Sequence, residues 1–193
     1  MEQNLSANKY KNKIITIPNI LSFVRLLLIP VILWLYLKEE NYIATGIVLL
    51  ISGLTDIVDG FIARTFNMIS DVGKVLDPFA DKATQGVMLL CLLARFPLMW
   101  LPIILLVIKE SFMALSGFMV VRKCDVVLGA NWHGKAATVL LTATMALHLF
   151  WYNIPEALTV ATISLSSAMI ALSLILYAVR NVGYLMSKSD KNN

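Results

Sequence analysis

At the centre of this sequence stands Asp56-Ile-Val-Asp59-Gly60-Phe-Ile-Ala63-Arg64, followed after eight residues by Gly73-Lys-Val-Leu-Asp77-Pro-Phe-Ala-Asp81. Its four aspartates form two pairs, spaced three and four residues apart, beside strongly apolar sequence. One aspartate near the middle of a bilayer costs about 2.5 to 3.5 kcal/mol, so four uncompensated ones would cost on the order of 10 kcal/mol. We therefore expect a cation among them.

Composition indicates a membrane protein. Hydrophobic residues make up 59% of the 193 residues and charged residues only 15%, whereas ordinary soluble domains carry about 25% charged residues. The net charge of +4 is shared among short basic segments between apolar runs, which argues against a nucleic-acid-binding surface. We expect membrane lipids with anionic head groups as partners, and no nucleic acid.

Six apolar segments are long enough to cross the hydrocarbon core of a bilayer, which takes about 20 helical residues. They are predicted at 18–37, 42–62, 80–95, 98–121, 136–152 and 157–179. The third segment is short, and it would begin as early as Val75 if the aspartates lie inside the helical bundle. The sequence thus predicts an all-α integral membrane protein with six transmembrane helices in a single domain, residues 1–193, with polar tails at 1–13 and 187–193.

The distribution of lysine and arginine predicts the orientation in the membrane. Only Lys38 and Arg95 fall on one side, and Arg25 and Lys109 lie inside predicted spans. The other twelve fall on the opposite side: Lys9, Lys11, Lys13, Arg64, Lys74, Lys82, Arg122, Lys123, Lys135, Arg180, Lys188 and Lys191. The positive-inside rule then places both termini and the aspartates at the cytoplasmic face of the plasma membrane.

The spacing of the four aspartates predicts a metal site. Residues three or four apart share one face of a helix, so Asp56 and Asp59 form one pair, and Asp77 and Asp81 form another. A short connection makes the two helices neighbours, which would bring the four carboxylates together. Hard divalent cations, magnesium above all, suit such an all-oxygen set. Asp71 lies outside the spacing, and we expect it only to cap a helix.

Small residues and one arginine accompany these acids. Gly60 and Gly73 allow close approach of a backbone or a ligand, Ala63 leaves space one turn further on, and Arg64 offers a planar fork for phosphate oxygens. A nucleotide could bind on this surface. The alternative is that the acids only cap helices or form salt bridges, but few cations stand near them in the sequence, and unpaired buried carboxylates are unfavourable.

The motif resembles that of a known family. It matches, position for position, the signature D-x2-D-G-x2-A-R-x8-G-x3-D-x3-D of the CDP-alcohol phosphotransferases. That family also has six transmembrane helices, with the motif on the second and third. A UbiA-like prenyltransferase, which is also helical and rich in aspartate, does not account for the glycine and Ala-Arg positions.

The resemblance implies displacement on a CDP-linked lipid with release of CMP. By resemblance, Asp56, Asp59 and Asp77 hold two Mg2+ ions together with Asp81, with Mn2+ as an alternative metal. Asp81 also serves as the general base toward the acceptor hydroxyl. The nucleotide-binding residues are Gly60, Ala63, Arg64 and Gly73. Related enzymes further suggest a homodimer.

The acceptor alcohol is predicted from basic residues outside the motif. Asn19, Ser22 and Arg25 lie near one side of the first helix, and this run resembles the start of phosphatidylglycerophosphate synthases and of bacterial cardiolipin synthases of the same family. Arg25 either binds acceptor phosphate or pairs with a motif carboxylate. The remaining acceptor candidates are Lys109, Lys135 and Arg122.

Two positions depart from the phosphatidylglycerophosphate synthase pattern. Lys109 stands in place of an arginine, and Ala137 stands in place of a second lysine after Lys135. A phosphorylated acceptor needs several cations, and the remaining basic residues still supply enough charge for glycerol 3-phosphate. Lys109 and Glu110 are adjacent on one helix and point about 100° apart, so we expect their mutual pairing to be imperfect.

We therefore predict transfer of phosphatidyl from CDP-diacylglycerol to glycerol 3-phosphate. Cardiolipin synthesis with phosphatidylglycerol as acceptor is the second reading, and a head group such as inositol phosphate is the third. A divalent-cation transporter is the alternative from another class. The glycines and the Ala-Arg pair distinguish the two classes, since a cation pathway has no use for a nucleotide-sized gap.

Overall fold

The computed structural model describes residues 16–66, 68, 70, 72–124, 129, 131–151 and 153–189. Within those residues the chain is helical and contains no strand, so the all-α prediction is confirmed. The helices are α1 (Ile17–Leu37), α2 (Tyr42–Thr65), α3 (Gly73–Leu93), α4 (Trp100–Cys124), α5 (Trp132–Phe150) and α6 (Glu156–Ser189). A short 3-10 helix, Pro97–Met99, precedes α4.

Several of these helices are long and apolar enough to cross a membrane, as expected of a membrane protein. The described residues contain four such segments: Ile17–Leu37, Tyr42–Ala63, Pro97–Arg122 and Glu156–Tyr184. The predicted third and fifth spans fall on α3 and α5, which are less apolar. That these two helices also cross, and that both termini are cytoplasmic, stay predictions.

The first two helices form a hairpin. Thr16 caps α1 by accepting a hydrogen bond from the Asn19 N–H at 3.3 Å. The turn after α1 contains Glu40 with a φ of 49°, an unusual value for a residue other than glycine. Asn41 then caps α2 by accepting the Ala44 N–H at 3.0 Å. Because the turn is short and α1 packs on α2, the two helices run antiparallel.

The third helix begins earlier than predicted. The sequence places this span at 80–95, with a start as early as Val75 as the alternative. In the structure α3 begins at Gly73, close to that alternative, and continues through Pro78. Proline usually marks a helix boundary, since it lacks an N–H and restricts the residue before it, but α3 accommodates Pro78 in its second turn. Ser70 starts the helix by accepting the Gly73 N–H at 2.9 Å. As a result Asp77 and Asp81 lie within the helix, one turn apart.

The last helix ends later than predicted. The sequence ends this span at residue 179 and begins a polar tail at 187, but α6 continues to Ser189. Asn181, in the added part, is buried and donates from Nδ2 to the Ser116 hydroxyl of α4 at 2.7 Å. Polar pairing with α4 thus stabilises the part of α6 that lies beyond the predicted span. The other predicted tail, at 1–13, lies outside the described residues.

The chain divides into two compact units, one ending at Cys91 and the other beginning at Leu92. In the first unit α1 packs on α2, and α3 joins them through contacts of α1 side chains. In the second unit α4 and α5 both pack on α6. The prediction of a single domain stays a prediction.

Candidate active site

Arg25 lies at the centre of the predicted carboxylate site. Its side chain is 2% exposed, and its Nη1 donates to Asp56 Oδ1 and Asp81 Oδ1, each at 2.7 Å. Its Nη2 donates to Asp59 Oδ2 at 2.6 Å. The structure therefore brings aspartates of both predicted pairs, from α2 and α3, together around one cation. That cation is a side chain of α1. This is the alternative that the sequence left open for Arg25, pairing with motif carboxylates.

Ser22 connects the two aspartate pairs. It lies one turn before Arg25 on α1 and is fully buried. Its hydroxyl contacts Asp77 Oδ1 on α3 and lies 3.4 Å from Asp59 Oδ2 on α2. The same oxygen is within 3.0 Å of the Pro18 carbonyl, which holds the hydroxyl in place. Through Ser22 and Arg25, all four motif aspartates contact the same face of α1.

Asn19 completes this face by fixing the start of α3. Its Oδ1 accepts a hydrogen bond from the Ser70 hydroxyl at 3.0 Å, and that hydroxyl in turn accepts from the Gly73 N–H. A Cβ placed on Gly73 would lie 2.5 Å from Asn19 Oδ1. The structure thus gives Gly73 a packing role, beside the nucleotide-binding role that the motif predicts.

The other predicted nucleotide residues are placed as follows. Gly60 follows Asp59 on α2, and a Cβ built there would meet no atom of the described residues within 4 Å. Ala63 lies less than one turn further along and is partly exposed. The side chain of Arg64, like the whole of Asp71, lies outside what the structure describes. Open space beside Gly60 is what a ligand approaching α2 would need.

The cluster has the donor chemistry of a divalent metal site. The described residues contain no group of three or more Asp, Glu, His or Cys side chains arranged as metal ligands, since the aspartates direct oxygens at Arg25 and Ser22 instead. All four are nevertheless carboxylates, which hard cations prefer. Four aspartates also outnumber the one arginine that they contact, so the donor set fits a divalent ion.

Exposure differs among the four aspartates. Asp59 is almost completely buried, with 3% of its side chain exposed, whereas 40% of the Asp56 side chain and 53% of the Asp81 side chain are exposed. Asp77 is intermediate. Asp56 and Asp81 thus have accessible carboxylates, while Asp59 lies at the base of the cluster.

Three predicted acceptor residues belong to the second unit. Lys109 on α4 is buried, whereas Arg122 on α4 and Lys135 on α5 are exposed. Lys109 Nζ lies 3.0 Å from Glu110 Oε1, so these neighbours pair more closely than the predicted imperfect pairing. Their side chains are long enough to bend toward each other despite the angle between adjacent helical positions.

A second polar cluster in this unit was not predicted. The Tyr177 hydroxyl of α6 accepts the Asn131 N–H at 3.0 Å, and Arg180 Nη1 donates to Asn131 Oδ1 at 2.9 Å. A Cβ on Gly134 would lie 3.1 Å from ring carbons of Tyr177. The sequence does carry a signal for it, since the polar residues at 173, 177, 180 and 181 share one side of α6. A prediction based on mean hydropathy does not detect such a pattern.

Ser22, Asn19 and Ser70 are the residues of the first site whose roles sequence reasoning missed. The sequence placed Asn19 and Ser22 on the side of Arg25 but gave them no partner. The useful signal was the polar series at i, i+3 and i+6 in an otherwise apolar helix. Such a series needs polar partners on neighbouring helices, and the motif aspartates on the next two helices could serve as those partners.

Comparison with known proteins agrees with the motif. The family profile described as CDP-alcohol phosphatidyltransferase matches residues 15–179. A cardiolipin synthase (CMP-forming) of Streptomyces coelicolor is 38% identical over 133 residues, covering 66% of this chain and 61% of that protein. A CDP-diacylglycerol--glycerol-3-phosphate 3-phosphatidyltransferase of Aquifex aeolicus is 47% identical over 66 residues, covering 34% of this chain and 36% of that protein.

An enzyme of the latter name from Rickettsia bellii is 34% identical over 113 residues, covering 57% of this chain and 62% of that protein. The chain thus matches less than two thirds of the length of each of these relatives. The family profile, by contrast, covers most of the chain, including all of α1 to α5 and the whole carboxylate cluster. The chain belongs to the CDP-alcohol phosphatidyltransferase family.

Proposed function

We propose that this protein transfers phosphatidyl from CDP-diacylglycerol to glycerol 3-phosphate, releasing CMP and forming phosphatidylglycerophosphate. The observation that carries the proposal is the convergence of four aspartates from α2 and α3 on one face of α1. A site with this density of carboxylates is suited to binding a cation together with a phosphorylated substrate.

Members of this family generally use a divalent metal ion. We propose that Asp56, Asp59, Asp77 and Asp81 hold two Mg2+ ions, or Mn2+ in their place. When bound, such ions neutralise the pyrophosphate and stabilise the leaving CMP phosphate. The protein's own contribution is to hold four carboxylates in place through Ser22 and Arg25 of α1.

We assign the general base to Asp81. Its side chain is the most exposed of the three aspartates that pair with Arg25, so an acceptor hydroxyl can approach it. Asp81 would accept the hydroxyl proton as the acceptor oxygen attacks the β-phosphorus of the CDP-lipid, and the bond from that phosphorus to the CMP oxygen would break. Asp59, which is buried, has no such access.

The nucleotide would bind beside α2. Gly60 faces open space, Ala63 is small and partly exposed, and Arg64 supplies the fork for phosphate. Gly73 would join this surface at the start of α3. For the acceptor phosphate we propose Arg25, Lys109, Lys135 and Arg122. Arg25 could bind phosphate only after giving up part of its contacts with the aspartates.

The acceptor assay tests the function directly. Full-length protein in detergent or nanodiscs with Mg2+ and CDP-diacylglycerol should release CMP on addition of glycerol 3-phosphate. CMP release with phosphatidylglycerol instead would favour cardiolipin synthesis; several relatives are named cardiolipin synthase. CMP release with inositol phosphate would favour transfer to that head group. No CMP release with any acceptor, combined with Mg2+ flux in liposomes, would favour a cation transporter.

We further propose that the protein works as a homodimer in the plasma membrane, with the carboxylate site on the cytoplasmic side. The distribution of basic residues supports this orientation. Cysteine labelling at Lys38 and at Lys135, on predicted opposite sides, tests it in intact cells. Labelling of Lys38→Cys but not of Lys135→Cys by an impermeant reagent is the expected result.

A further inference from the structure

The guanidinium of Arg25 contacts the same carboxylates that we propose as metal ligands. Its Nη1 lies 2.7 Å from an oxygen of Asp56 and 2.7 Å from an oxygen of Asp81. Because both oxygens contact one nitrogen, they lie no more than twice that distance apart. Nη2 takes up an oxygen of Asp59. Arg25 therefore binds oxygens of three of the four aspartates, from two different helices.

Arg25 is nevertheless incompletely satisfied in this position. Its Nε is buried and has no hydrogen-bond partner among the residues that the structure describes. A guanidinium offers five N–H donors, and a buried donor without a partner is unfavourable. The position fits the two terminal nitrogens well and the rest of the group poorly.

The charges of the cluster point the same way. With all four aspartates ionised, Arg25 balances one of four negative charges. Two divalent ions would by themselves balance all four, so Arg25 would then add an unbalanced positive charge beside the carboxylates that would hold them. Like charges at that separation repel strongly in a buried setting. Arg25 and the metal ions thus compete for the same oxygens.

We propose that Arg25 is an exchangeable counter-ion of the metal site. It holds the aspartates of α2 and α3 together before metal binds, and it gives up the Asp56 and Asp81 oxygens when divalent ions enter. The freed Nη1 is then available to a phosphate oxygen of the substrate, in keeping with the predicted acceptor role. This inference rests on the proposed metal-dependent function.

Manganese binding without any substrate tests the exchange. Purified full-length protein is titrated with Mn2+ alone, and free Mn2+ is followed by its electron paramagnetic resonance signal. Since Arg25→Gln removes the competitor, this variant should bind Mn2+ on the order of tenfold more tightly than the wild type. Arg25→Lys, which keeps the charge but loses the fork, should fall between them. Arg95→Gln, with the same charge change in the second unit, should bind as the wild type does.

Thermal unfolding provides a second measurement. In EDTA, Arg25→Gln should melt at a lower temperature than the wild type, because the aspartates lose their counter-ion. Added Mn2+ should raise its melting temperature more than it raises that of the wild type. If Arg25→Gln does not fold in EDTA, the double variant Arg25→Gln, Asp59→Asn removes one charge of each sign from the cluster. It should regain part of the lost stability.

The outcomes separate this inference from the proposed function. Unchanged or weaker Mn2+ binding by Arg25→Gln overturns the exchange and leaves Arg25 as a fixed part of the site, while CMP release by the wild type would still support the enzyme. Wild-type protein that binds Mn2+ in competition with Arg25 but releases no CMP with any acceptor would overturn the function and leave the exchange standing.

Discussion

Replacing Gly73 by alanine should destabilise the protein because of one neighbour, Asn19. The described glycines have no positive φ, so alanine meets no backbone penalty at this position. Its Cβ, however, would lie 2.5 Å from Asn19 Oδ1 and 3.1 Å from Ser70 Oγ. Either Asn19 moves and loses the hydrogen bond from Ser70, or the start of α3 shifts away from α1.

The expected loss follows from these contacts. Overpacking of this kind costs about 1 to 3 kcal/mol, and a lost hydrogen bond adds about 1 kcal/mol. The gain from replacing glycine by alanine in a helix offsets about 0.5 to 1 kcal/mol. The net loss is about 2 kcal/mol, which lowers the melting temperature by roughly 4 to 8 °C in a chain of this length.

Three further variants make the measurement specific. Gly86→Ala lies on the same helix, with no described atom within 4 Å of the added Cβ, so it should be neutral or stabilising by up to about 1 kcal/mol. In an Asn19→Ala background, Gly73→Ala should cost at least about 1 kcal/mol less. Thermal unfolding in detergent of all four variants measures both effects. If Gly73→Ala and Gly86→Ala have the same melting temperature, the packing role assigned to Gly73 is wrong.

Other substitutions address the site itself. Asp81→Asn should abolish CMP release while Mn2+ binding falls by less than tenfold, since a base is lost but three carboxylates remain; retained CMP release would remove Asp81 as the base. Ser22→Ala should lower stability by about 1.5 to 3 kcal/mol, because Asp59 and Asp77 lose a shared donor. Ser167→Ala is its control, since that buried hydroxyl has no hydrogen-bond partner in the described part of the chain. Equal melting temperatures of the two variants would contradict the role of Ser22. Gly60→Ala should keep or slightly raise the melting temperature yet raise the KM for CDP-diacylglycerol several-fold, and an unchanged KM would argue against a nucleotide beside α2.

Hydropathy predicted the helices well where the chain is uniformly apolar. The first two spans, predicted at 18–37 and 42–62, agree with α1 and α2 within a few residues. The first turns of the third helix contain charged residues, which lower the hydropathy there. The predicted span at 80–95 therefore starts later than α3. A side-chain acceptor on Ser70 starts that helix, and hydropathy does not register a single hydrogen bond.

The end of α6 shows the same limit. Its predicted span ends at residue 179, just before the polar residues Arg180 and Asn181, and the predicted tail begins at 187. In the fold Asn181 and Arg180 find partners on α4 and before α5. Whether a polar residue near a helix end is ordered depends on whether a segment distant in sequence places a hydrogen-bonding partner beside it.

By itself the sequence determined the family, the membrane character and the identity of the four aspartates, because fixed residue types at helical spacing specify one face of each helix. It also showed that these acids require a cation. Only the tertiary structure decided which protein cation meets them: Arg25 pairs with Asp56, Asp59 and Asp81. The physical reason is that the spacing along one helix cannot say which face of another helix it meets, and the contact between Arg25 and Asp81 joins residues 56 positions apart.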